Sequence, residues 1–88
     1  MARMAQVIIT DDAQADFDNL PVRIQARMNE VFARLVNWPA VSGAKPLRGN
    51  LAGNFRIRTG DYRVVFSVSA DKTRVTVWKI GNRGGVYE

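Results

Sequence analysis

Three arginines on two short runs carry the clearest chemical signal in this chain. Arg56 and Arg58 alternate with apolar residues in Phe55-Arg56-Ile57-Arg58, and Arg63 follows Tyr62 at the head of Tyr62-Arg63-Val64-Val65-Phe66-Ser67-Val68. Gly60-Asp61 lies between the runs and reads as a two-residue hairpin turn, with glycine where a type II′ turn needs it. That turn sets the register: Thr59 faces Tyr62, Arg58 faces Arg63, Ile57 faces Val64, Arg56 faces Val65 and Phe55 faces Phe66. Phe55, Ile57, Tyr62, Val64 and Phe66 then share one face, and the three guanidiniums share the other. Like charges directly opposed in a ladder destabilise it. Two readings stand: a solvated face whose Arg stems cover apolar surface, or a site for a polyanion. Arginine suits the second, because its planar fork binds phosphate through two hydrogen bonds and stacks on bases. An arginine-lined sheet face with an aromatic beside it is a reasonable platform for single-stranded RNA.

The charge distribution points the same way. Over 88 residues the net charge is +5, but residues 1–44 carry four basic and five acidic side chains while residues 45–88 carry nine and three. Lys45, Arg48, Arg56, Arg58 and Lys79 are the candidate nucleic-acid-binding cations of the basic half. The aromatic candidates are Trp78 and Tyr87. Alternation with inward Val75 and Val77 turns Trp78 outward, whereas a bulge would turn it into the core.

The missing residue types exclude much chemistry. With no cysteine and no histidine, there is no thiol nucleophile, no imidazole base and no Cys- or His-based metal site. The carboxylates of the basic half are Asp61, Asp71 and Glu88, too few for a two-metal nuclease. The glycines fit neither a P-loop nor a dinucleotide fingerprint. No metal ligand set and no cofactor site is expected. Cleavage of a phosphodiester by this chain would rest on guanidiniums that stabilise the pentavalent phosphorane and on the Tyr87 phenol as proton carrier.

The elements that must position these residues are legible in outline. The size allows one domain over residues 1–88. Met4–Ile9 reads as a strand, with Thr10 as helix N-cap and Asp11 and Asp12 in the first turn. Ala13, Phe17 and Leu20 line a first helix. Pro21 opens a second, whose stripe is Ile24, Met28, Val31, Phe32, Leu35 and Val36; it should stop before Pro39. Residues 39–54 read as a long loop. The hairpin follows, then an Asp71-Lys72 turn and a last strand over Thr73–Ile80. The predicted order is β-α-α-β-β-β, an α+β domain with two helices on one face of a small, mostly antiparallel sheet. No apolar run is long enough for a membrane span or a signal segment, so a cytoplasmic protein without membrane partners is expected.

Three stretches together resemble the RelE branch of the RelE/ParE toxin superfamily: Lys45-Pro46-Leu47-Arg48-Gly49, the Phe55–Phe66 hairpin with its Gly60-Asp61-Tyr62-Arg63, and Ile80-Gly81-Asn82-Arg83-Gly84-Gly85-Val86-Tyr87. The resemblance spans nearly the whole chain and implies a type II toxin that cleaves mRNA in the ribosomal A site. The substrate's own 2′-OH would be the nucleophile, without metal. By position it makes Arg63 the phosphate-binding arginine, Arg83 the second arginine, and Tyr87 the base-stacking or proton-transferring residue. It also implies a cognate antitoxin, with the ribosome and mRNA as further partners. The best-known member has lysines where Arg56 and Arg58 stand, which leaves the general base unassigned, since a guanidinium gives up a proton poorly. A ParE-like gyrase inhibitor and a non-catalytic RNA-binding domain are the alternatives on the same fold.

Overall fold

The computed structural model describes residues 4–82. Strand β1 (Gln6–Ile9) leads into helix α1 (Asp11–Asp18), and α2 (Val22–Leu35) follows after a short break. Then come β2 (Lys45–Pro46), a single 3-10 turn (Gly49–Leu51), β3 (Asn54–Thr59), β4 (Tyr62–Val68) and β5 (Arg74–Asn82). The five strands form one sheet in the order β1-β5-β4-β3-β2, with β1 parallel to β5 and every other pair antiparallel. The fold class read from the sequence is the one observed.

Local chemistry accounts for the boundaries. The Thr10 hydroxyl accepts from the Ala13 N–H at 3.2 Å, so α1 starts on a side-chain cap followed by two acidic residues. Pro21 is the N-cap of α2, and that helix ends at Leu35, short of Pro39. Its buried stripe is Ile24, Met28, Val31 and Leu35, which packs with Ile57, Val64, Phe66, Val75, Val77 and Ile80 from the sheet. Phe66 also meets Trp38 and Phe55, with ring centroids 5.5 and 5.8 Å away.

The structure adds two features to the expected order. Within the loop expected over residues 39–54, Lys45 and Pro46 pair with Arg56 and Phe55, which makes β2 a fifth strand. Two residues, one of them proline, give no periodicity, and proline is tolerated there because β2 is an edge. The second feature is a register shift between Val65 and Phe66: Val65 faces Lys79, while Phe66 faces Val77. Trp78 is the extra residue of this bulge. The inward positions of β5 therefore change parity, from Val75 and Val77 to Ile80.

Candidate functional site

The hairpin register is the one the turn dictates, from Thr59↔Tyr62 through Arg58↔Arg63 and Arg56↔Val65 to Phe55↔Phe66. Gly60 supplies the positive φ of the turn, at 60°. The sheet face away from the helices consequently displays two rows across the strands. One runs Lys45, Arg56, Val65, Lys79, and the next runs Arg58, Arg63, Gly81. Neither row contains a carboxylate.

Depth differs sharply along these rows. Lys45 and Arg58 are exposed and Arg56 is half-buried. Arg63 is only 2% exposed, on the central strand β4. A guanidinium held at that depth has little freedom left, so its charge is oriented before any ligand arrives. Arg58 and Arg63, with Gly60 and Asp61, line a recess of about 50 Å³ at the hairpin tip. Asp61 is the one carboxylate at that recess.

Lys79 turns away from its row. Its Nζ lies 3.9 Å from Asp16 Oδ2 on α1, and the same carboxylate oxygen accepts from the Ile80 N–H at 3.0 Å. Asp16 thus satisfies backbone at the stretch of β5 beyond its pairing with β1, which ends at Ile9↔Val77. Arg48 is exposed and precedes the 3-10 turn. Arg83 and Tyr87 lie outside the described residues. The structure therefore brings Lys45, Arg56, Arg58 and Arg63 onto one face, sets Arg48 next to it in sequence, and points Lys79 at α1.

A bulge is present at Trp78, yet its side chain keeps the outward direction that alternation gives it. It lies on the outer face with Leu47, Leu51 and Val65, a second apolar cluster separate from the main core. Its Nε1–H donates to Asn54 Oδ1 at 2.9 Å, and Asn54 Nδ2–H donates to the Leu51 carbonyl at 3.1 Å. Nothing in the sequence reading singles out Asn54; its position between a glycine and an alternating run is the one available hint. Among the described residues no three His, Cys, Asp or Glu side chains come together as a metal site, and no helix is long and apolar enough to cross a membrane.

Two helices on one side of a five-stranded mixed sheet is a fold that this chain shares with solved toxin chains. The RelBE2 toxin-antitoxin complex of Mycobacterium tuberculosis contains a chain that matches with a TM-score of 0.79 and 31% identity, over 91% of this chain and 99% of that one. The archaeal RelE-RelB complex of Pyrococcus horikoshii matches at 0.70 and 25% identity, over 94% and 99%. In sequence, Toxin RelE of M. tuberculosis is 42% identical over 82 residues, 92% of this chain and 84% of the relative. Toxin RelG of the same organism is 37% identical, over 92% and 93%. A family model described as the ParE toxin of a type II toxin-antitoxin system matches residues 7–87. The chain belongs to the RelE/ParE superfamily of type II toxins.

Proposed function

We propose that this toxin is a ribosome-dependent mRNA endonuclease acting in the A site. The observation that carries the reading is the pair of carboxylate-free cationic rows on the outer sheet face, in a chain 42% identical to a Toxin RelE. In the proposed step the ribose 2′-oxygen attacks the adjacent phosphorus and the P–O5′ bond breaks. The products are a 2′,3′-cyclic phosphate and a 5′-hydroxyl. One proton leaves the 2′-hydroxyl and one is delivered to the departing 5′-oxygen. Arg63 and Arg83 hold the phosphate and offset the charge that develops on it. Tyr87 stacks on a base or carries one of the two protons. No metal takes part. Lys45, Arg48, Arg56, Arg58 and Lys79 bind the flanking RNA, Lys79 after release from Asp16.

A cognate antitoxin is the proposed protein partner. The similar chains from M. tuberculosis and P. horikoshii were solved in complexes named as toxin with antitoxin, and an acidic segment laid over the two rows would neutralise them. A second reading, inhibition of gyrase, is favoured by the ParE description of the matching family. Primer extension on mRNA from a translating extract separates the two. The toxin should produce discrete new 5′ ends within codons, and only when ribosomes are present. Intact mRNA together with lost supercoiling activity of gyrase contradicts the nuclease.

A further inference from the structure

The segment from Lys45 to Gly53 carries two candidate RNA-binding cations but has almost no regular structure of its own. Its backbone bends through positive φ at Gly49 (65°) and Gly53 (94°). Local hydrogen bonds close the 3-10 turn, from the Leu51 N–H to the Arg48 carbonyl at 3.3 Å and from the Ala52 N–H to the Gly49 carbonyl at 3.0 Å. A turn this short is marginal by itself. Beyond the β2–β3 pairing at Lys45 and Pro46, it is held to the sheet by a set of contacts that converge on Asn54 and Trp78. The Leu47 N–H donates to the Asn54 carbonyl at 2.9 Å, Asn54 Nδ2–H donates to the Leu51 carbonyl, and Asn54 Oδ1 accepts from Trp78. Leu47 and Leu51 pack against Val65 and Trp78 on either side of these bonds. Trp78 points outward, as alternation with the buried Val75 and Val77 requires, and from the bulge its ring and N–H meet this loop.

We infer that Trp78 and Asn54 are positioning residues, a clamp that fixes the Lys45–Arg48 arm beside the arginine rows so that its cations meet RNA already in place. The inference rests on the nucleic-acid-binding reading of the outer face. A loop carrying two long cationic side chains loses much conformational freedom when it binds. Docking it in advance strengthens binding without adding a contact to the ligand. The clamp therefore acts on the affinity for RNA and leaves the chemical step alone.

The test uses the full-length toxin with programmed ribosomes carrying a defined mRNA. Trp78→Phe keeps an aromatic ring and removes the donor; Asn54→Ala removes both the acceptor for Trp78 and the donor to the Leu51 carbonyl while keeping the apolar side chains of the cluster. Each should raise KM roughly three- to tenfold with kcat unchanged, the range expected for one hydrogen bond. The double variant should be no worse than the poorer single one. In parallel, trypsin should cut at Arg48–Gly49 faster in both variants, with the site mapped by mass spectrometry. Unchanged cutting at that bond, additive effects in the double variant, or a fall in kcat at constant KM overturns the clamp. Lys45→Ala and Arg48→Ala keep the two ideas apart. If these weaken binding while the clamp variants do not, positioning is wrong. If neither they nor the clamp variants change KM, the RNA-binding reading of the arm is wrong.

Discussion

Arg63 holds its charge at 2% exposure, and that depth decides what a substitution does there. Removing one member of a buried polar arrangement destabilises the groups left behind, while the change also removes a like charge facing Arg58. Compared at matched folded fraction, Arg63→Met should cleave mRNA ~10²–10³-fold more slowly, the usual loss for one donor to a developing anion. A variant that stays stable and stays active removes Arg63 from the mechanism. Tyr87→Phe makes the complementary test of proton transfer. It should slow single-turnover cleavage ~10²-fold if the phenol moves a proton, and far less if only the ring is used. The face occupied by each arginine was legible from the turn and the period of two. Their depth was not, because alternation says which way a side chain points and nothing about what surrounds it. Trp78 shows the same limit: alternation turns it outward, as found, but nothing in β5 announces the bulge or the apolar cluster that the ring joins.

The elements divide by how much of their stability is local. Both helices follow from periodic apolar stripes and from Thr10 and Pro21 at their starts, signals carried by neighbouring residues. β2 gives no such signal, since it exists through its pairing with β3 and through the Asn54–Trp78 contacts from far along the chain. The β4–β5 turn is a local device of another kind. The Asp71 carboxylate accepts from the Ser69 hydroxyl at 2.7 Å, the Thr73 hydroxyl at 2.7 Å and the Thr73 N–H at 3.0 Å. Those bonds, the Ser69 one foremost, lower its pKa from 3.8 to about 2. Because the folded pKa lies below the unfolded one, the contribution is fully present above about pH 4 and disappears as the pH falls through about 2. Asp71→Asn should lower the urea midpoint at pH 7, and the gap from the parent should close between pH 4 and pH 2. A gap that stays constant with pH means the ionised carboxylate is not what holds the turn.

At the scale of the molecule, the asymmetry between a nearly neutral first half and a strongly basic second half becomes a geometric one. The first half supplies β1 and the helices that cover one face, and the second supplies β2 to β5 with the cationic rows on the other. If Lys45, Arg56, Arg58 and Arg63 each neutralise a phosphate, log K for a single-stranded RNA should fall with log salt at a slope of about −3. Titrations with a fluorescent oligonucleotide at several salt concentrations measure it, and a slope near zero would leave the rows as an ordinary solvated face.

The central claim is cleavage by the mRNA's own 2′-hydroxyl, and it can be tested at a single atom. Ribosomes are programmed with a defined mRNA, the cut position in the A-site codon is mapped, and the nucleotide 5′ to that bond is then replaced by its 2′-deoxy counterpart. The account predicts that the toxin cuts the all-ribose message rapidly, leaving a 2′,3′-cyclic phosphate, and leaves the substituted bond intact. Cleavage of the 2′-deoxy message at the same bond and a similar rate would contradict it.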